Sequence, residues 1–183
     1  MSKGTGYGYA LYELAAEEGL EQEIEEEFAE ITRVFASNPD FVKLLSNPRI
    51  PASERIQVLD HVFEKKIQSY LLILLKILTE KRDVFLIPSC FKEYQNKYYQ
   101  DKNILPVTAI SAVALNENQS RRIISKLENL MNKSIILENK VDKSCIGGIR
   151  LEYSGHMIDA SIKNRFKKLQ RDLKNADYSQ AEV

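Results

Sequence analysis

The chain has 183 residues, 44% of them apolar and 28% charged, with 26 basic and 26 acidic side chains and a formal net charge of zero. That length can bury one large core or two small ones, and the balanced charge gives no bulk electrostatic reason to expect a nucleic-acid binder. Two cysteines exclude a disulfide framework, no run approaches the ~18 apolar residues of a membrane span, and no apolar signal core or Arg-rich transit pattern opens the chain, so a soluble, cytosolic protein is expected.

The first ~100 residues read as successive helices. Tyr7 to Ala16 is apolar over much of its circumference, and Gly19 is placed to end it as a left-handed C-cap. Leu20, Ile24, Phe28, Ile31 and Phe35 recur at helical spacing, with an exclusively acidic charge set from Glu13 to Glu30 predicted to lie opposite as a solvated face or a partner surface. Asn38-Pro39 and Asn47-Pro48 bracket a short piece from Phe41 to Leu45. Pro51 suits the start of the next helix, whose predicted buried face is Ile56, Leu59, Val62 and Phe63. Tyr70 to Leu78 is apolar nearly all round. Such a helix is either the central rod of a bundle or keeps part of its surface for a partner helix. A sixth helix spans roughly Val84 to Asn103 and is marked by Phe85, Cys90, Phe91, Tyr94 and Tyr98, with Pro88 moving its true start towards Ile87.

At Asn103 the period changes. Val107 to Leu115 is small and β-branched and reads as a buried strand beginning after Pro106. Asn116 with Gln119 predicts a capping box for a helix bearing Ile123, Ile124, Leu127, Leu130 and Met131 on one face. Ser134 to Val141 and Ile149 to Tyr153 are further strands, and Ser154-Gly155 turns into a short piece ending at Ile158. Asp159 is placed to cap a final basic helix with Ile162, Phe166, Leu169 and Leu173 as its stripe. The expected fold is α+β, a six-helix bundle over 1–105 followed by a small βαβββα domain over 106–175, with 176–183 a flexible polar tail.

Catalytic constellations are missing. Gly147-Gly148 lacks phosphate-loop spacing and precedes a strand, so a bulge or close backbone approach is expected there. His156 and Asp159 have no nucleophile beside them, and Ser161 has no G-x-S-x-G context. Neither a cofactor nor a metal is expected, and binding surfaces remain as the function. One candidate is a nucleic-acid adaptor presenting Lys163, Arg165, Lys167 and Arg171 to phosphates, against which the neutral net charge counts.

Gly147-Gly148-Ile149-Arg150-Leu151, followed by Ile158 to Leu169, resembles the C-terminal signature of the δ subunit of F-type ATP synthase, the family of the oligomycin-sensitivity-conferring protein. Tyr7 to Ala15, Asn38 to Phe41, Leu44 to Pro48 and Leu75 to Asp83 resemble the family's helical landmarks in order. The resemblance implies a non-catalytic stator subunit at the cytoplasmic face of the bacterial membrane, with no membrane span of its own and no nucleic-acid partner. It would link the catalytic head to the peripheral stalk during proton-driven ATP synthesis. Tyr7, Ala10, Leu11 and Leu14 on the first helix and Tyr70, Leu74, Ile77 and Leu78 on the fifth would form the groove for the N-terminal helix of an α subunit. Gly147, Gly148, Ile158, Asp159, Ile162, Arg165, Phe166 and Leu169 would serve the C-termini of the b subunits. Gly8 stands where the family commonly has Ala, which by helix propensity alone costs roughly 1 kcal/mol.

Overall fold

The structure is a computed structural model that describes residues 3–145, 147–159 and 164. The chain divides into two compact units, Met1–Lys102 and Asn103–Val183. Among the described residues the fold is α+β, with helices in the first unit and a four-stranded mixed sheet with one helix in the second.

The first unit contains α1 (Lys3–Glu18), α2 (Glu21–Ser37), α3 (Pro39–Ser46), α4 (Ala52–Phe63), α5 (Ser69–Glu80) and α6 (Ile87–Asp101), with a single 3₁₀ turn at Val84–Leu86 before the last. α1 stops where expected. Gly19 takes φ +70°, and Leu20 N–H and Gly19 N–H reach back to the carbonyls of Ala15 and Ala16, the paired bonds of a Schellman cap. Ile24, Phe28, Ile31 and Phe35 of α2 are buried as their spacing predicts, and Phe28 packs edge-on to Tyr94 and tilted against Phe91 of α6.

The acidic face of α2 is less solvated than its charge suggests. Glu21 takes a bond from Lys102 at 2.9 Å, Glu25 from Gln95 Nε2 at 2.8 Å, and Glu27 from Gln68 N–H at 2.7 Å. Three of these glutamates therefore tie α2 to the α5 and α6 segments. The Glu21 carboxyl is held below its ordinary range by its own backbone N–H and by Lys102.

The buried face of α4 differs from the expected one. Leu59 and Phe63 are buried, Ile56 and Val62 only half so, and Arg55 is 1% exposed. Its guanidinium donates to the carbonyls of Leu45 at 2.6 Å, Thr79 at 2.5 Å and Ile50 at 3.2 Å, closing the ends of α3 and α5 together. Helix-end carbonyls lack intrahelical partners, and a fork of five donors satisfies them well. Phe85 also departs from expectation, pointing outward from the 3₁₀ turn.

The second unit starts earlier than predicted. β1 is Ile104–Ser111, so it opens before Pro106 and ends before Ala112. β3 pairs only with Thr108 to Ser111, which leaves the Pro106 half of β1 with one strand neighbour, β2. A strand open on one side tolerates a residue without an N–H. α7 (Glu117–Met131) then crosses to β2 (Ser134–Val141), which runs parallel to β1. β3 (Ile149–Tyr153) and β4 (His156–Asp159) follow antiparallel, giving the order β2-β1-β3-β4. Ser154 and Gly155 both have positive φ, +44° and +78°, which makes the β3–β4 link a two-residue turn matched to strand twist.

The Asn116–Gln119 capping box forms in both directions, at 2.9 and 3.0 Å. Leu127 is the buried centre of α7, packed on Leu105, Val107 and Ile135, with Ile123, Ile124 and Met131 around it. Leu130, expected on this face, is exposed instead. Asp159 closes β4 opposite Arg150, and Asn164 Nδ2 donates to its carbonyl at 3.0 Å. The expected final helix, with Ile162, Arg165, Phe166 and Leu169, and the tail lie outside the described residues.

Candidate partner-docking site

The first and fifth helices, between which the groove is expected, run antiparallel and are bridged at both ends. Near the start of α1, Tyr7 Oη accepts from Lys81 Nζ at 2.7 Å, just past the end of α5. At the other end, Tyr70 Oη at the start of α5 donates to Glu18 Oε1 at 3.4 Å. The Lys81 ammonium also sits 5.3 Å from the Tyr7 ring centroid. Its bond to the Tyr7 hydroxyl holds the ammonium above its ordinary pKa, so the bridge is cationic across the neutral range.

Beside the Tyr7–Lys81 bridge lies a concavity of about 650 Å³ lined by Gly6, Tyr7, Ala10, Lys81 and Asp83. Gly6 and Ala10 are one turn apart on the exposed side of α1, and nothing stands within 4 Å of where a Gly6 side chain would begin. Leu14, a further turn on, is 46% exposed, and Ile73 of α5 is 52% exposed. Small residues backed by exposed aliphatics are what a second helix needs to approach closely.

The eight residues expected to line this groove therefore separate into two layers. Tyr7, Ala10, Leu14, Tyr70 and Ile77 are exposed or half-buried and form its accessible surface. Leu11, Leu74 and Leu78 are 4%, 5% and 0% exposed and belong to the unit's own core. They are corrected from contact residues to floor: helical spacing puts Leu11 over Tyr7 and Leu14, but it also turns it inward against the bundle. Gly6, Lys81 and Asp83, which line the concavity, were not among the expected residues. The spacing Gly6-x-x-x-Ala10-x-x-x-Leu14 could have revealed the first of them.

The tight packing behind α1 explains Gly8. A Cβ placed there would stand 2.2 Å from the carbonyl oxygen of Cys90 on α6, and one at Gly4 would stand 3.0 Å from Ser89 Cβ. α1 and α6 thus cross at a glycine notch that turns the outer side of α1 towards the groove. Cys90 itself is fully buried, and burial pushes its thiol up to about 11, so it is inert packing rather than a nucleophile. Among the described residues, no group of His, Cys, Asp or Glu could hold a metal ion, and no helix is long and apolar enough to cross a membrane.

In the second unit, Gly147 and Gly148 line a cavity of about 580 Å³ together with Ser111, Val113, Leu115, Arg122 and Ile123. Gly148 has φ +84°, a backbone state that favours glycine, and it delivers the chain into β3 beside Ser111. Asn139 holds the same end of the sheet. Its Nδ2 donates to Ala109 O and Ser111 Oγ and its Oδ1 accepts from Leu115 N–H, each at 2.9 Å. Ile158 is exposed on β4, on the face it shares with Leu151, and Asp159 is exposed at the strand's end. The sequence-predicted residues Gly147, Gly148, Ile158 and Asp159 therefore frame one end and one edge of the sheet.

Comparisons with known proteins agree along the chain. The family model described as "ATP synthase delta (OSCP) subunit" matches residues 4–173. ATP synthase subunit delta of Clostridium botulinum (strain Loch Maree / Type A3) is 28% identical over 165 residues, covering 90% of this chain and 92% of the relative. The Clostridium perfringens (strain ATCC 13124) protein of that name is 30% identical over the same coverage. A chain in the Toxoplasma gondii mitochondrial ATP synthase hexamer superposes with a TM-score of 0.71 at 15% identity, covering 94% of this chain and 98% of that one. A chain of the Polytomella F-ATP synthase head and rotor gives 0.52 at 14% identity over 56% of this chain and 90% of that one. On the match from Gly4 to Leu173, the chain belongs to the ATP synthase delta (OSCP) subunit family.

Proposed function

We propose that this chain is a non-catalytic stator component that joins the catalytic head of a rotary ATP synthase to its peripheral stalk. The first unit receives the N-terminal helix of an α subunit between α1 and α5, and the second unit holds the C-terminal ends of the b subunits. The protein then sits at the cytoplasmic face of a bacterial cell membrane, peripheral to it, and serves proton-driven ATP synthesis by keeping the head from turning with the rotor. The observation that carries the reading is the α1–α5 groove, with Ala10, Leu14 and Ile73 accessible over a core that is already complete. A bundle needs neither Leu14 nor Ile73 exposed for its own stability, whereas a helix-in-groove contact uses such residues. Two attachment points on one chain also raise effective affinity without a very tight contact at either, which suits a part under torque.

The test is calorimetry of the full chain with a peptide from the N-terminal segment of an α subunit. Ala10→Arg and Leu14→Asp should weaken binding at least tenfold while the circular dichroism and melting temperature stay within error of wild type. Unchanged affinity in both variants would place the contact elsewhere. The nucleic-acid alternative finds no support in the neutral charge, and its basic residues lie outside the described region.

A further inference from the structure

The sheet of the second unit is open along β2. Bonds from Ser134 N–H to Asn103 O at 3.1 Å and from Asp142 N–H to Ser111 O at 2.9 Å bracket the β1–β2 ladder. They turn the even-numbered peptide groups of β2 towards β1, so the odd-numbered ones point away. Ile135 N–H does so, and Glu128 Oε1 of α7 covers it at 3.4 Å. Past that point, Leu137, Asn139 and Val141 have no strand beside them among the described residues. Such an edge templates another strand unless its side chains forbid the pairing. On β2, Glu138 and Lys140 stand exposed on one face, 3.7 Å apart, while Leu137 and Val141 flank Asn139 on the other. The order apolar, acid, Asn, base, apolar is its own complement when the strand is reversed.

We propose that β2 pairs antiparallel with β2 of a second copy of this chain, about a two-fold axis at Asn139. This pairing is independent of the docking reading above. The outward peptide groups of Leu137 then meet those of the partner's Val141, and those of Asn139 meet the partner's Asn139. Glu138 lies opposite the partner's Lys140, and Lys140 opposite the partner's Glu138, giving one alternating cluster of four charges. Asn139 leaves the axis clear, because its side chain is already bonded to Ala109, Ser111 and Leu115. Charge also fixes the register. Moving the axis one residue either way sets Glu138 against the partner's Glu138, or Lys140 against the partner's Lys140, and like charges directly opposite destabilise a pair.

Sedimentation equilibrium of the full chain tests the pairing. A contact of about five residues a side is small, so dimer is expected from on the order of 100 µM upwards. Glu138→Lys or Lys140→Glu alone places like charges opposite each other and should weaken association about fivefold to tenfold. An equimolar mixture of the two single variants restores both ion pairs and should associate at least as well as wild type. The double variant, with the two charges exchanged, should also recover. Val141→Pro removes an outward N–H that the chain's own ladder does not use, and should abolish the dimer. These positions are exposed, so each variant should keep the wild-type circular dichroism and melting temperature. A chain still monomeric at about 500 µM overturns the proposal, because a paired edge would show by then. Self-association that Glu138→Lys and Val141→Pro leave unchanged, or single variants whose mixture fails to associate, overturns it as well.

Discussion

Gly6 and Gly8 predict opposite outcomes for the same substitution. Both lie within α1, where Ala is favoured over Gly by about 0.5–1 kcal/mol. At Gly6 the space is open, so Gly6→Ala should raise stability by about that amount. At Gly8 a methyl would overlap the Cys90 carbonyl at 2.2 Å, and a packed backbone cannot yield cheaply. Gly8→Ala should therefore lose roughly 1–3 kcal/mol in urea unfolding, despite the gain in propensity. Propensity was readable from the sequence and pointed the wrong way at Gly8, because the deciding neighbour is distant in the chain. Arg55 was overlooked for a similar reason: an arginine next to a helix's apolar stripe looks solvated until the carbonyls of Leu45, Ile50 and Thr79 are found around it. Arg55→Met keeps the bulk and strands those acceptors, and should cost roughly 2–4 kcal/mol in the same measurement. Glu27 supplies a pH signature. Burial raises its carboxyl pKa, the Gln68 N–H bond lowers it less, and Glu23 and Glu30 add to the rise. The folded state then binds the proton more tightly than the unfolded chain, so Glu27's contribution is most favourable below 4.5 and is lost as pH rises through the folded pKa. Glu27→Gln retains an acceptor for Gln68 and should melt higher than wild type at pH 7, with the difference closing in acid.

Elements were legible where one pattern decided them and blurred where two competed. The four-four-three-four spacing of α2 and the capping box of α7 translated directly, since each depends on residues within a few positions. Asn116→Ala should destabilise the second unit by about 1 kcal/mol, read from amide exchange along α7. β1 was misplaced by three residues at its start because Pro106 was read as punctuation. Its partner strand on one side spans only Thr108 to Ser111, which no local pattern discloses. α5 posed the sharpest ambiguity, being apolar on every side. The structure divides it, with Leu71, Leu74, Leu75 and Leu78 inside and Ile73 outside, and that division makes the groove shallow, bordered by α1, and floored by core residues. The candidate site was thus half legible: its two helices were identified from the sequence, but which of their apolar residues face outward depends on α6 drawing Gly4 and Gly8 inward.

At the scale of the whole molecule, the chain forms two compact units, each with its own core. The first unit is complete without a partner and offers a groove. The second frames a sheet end with Gly147, Gly148 and Asn139 and exposes Ile158 along one edge. One partner for each unit is the central claim, and hydrogen exchange of the full chain tests it most directly. Exchange is measured on the chain alone, with a peptide from the N-terminal segment of an α subunit, with a peptide from the C-terminal end of the b stalk protein, and with both. The α peptide should slow exchange in α1 and α5 and leave residues 103–159 unchanged, and the b peptide should do the reverse, with the two effects additive. Protection of the sheet by the α peptide, or of α1 and α5 by the b peptide, would contradict the assignment of one partner to each unit.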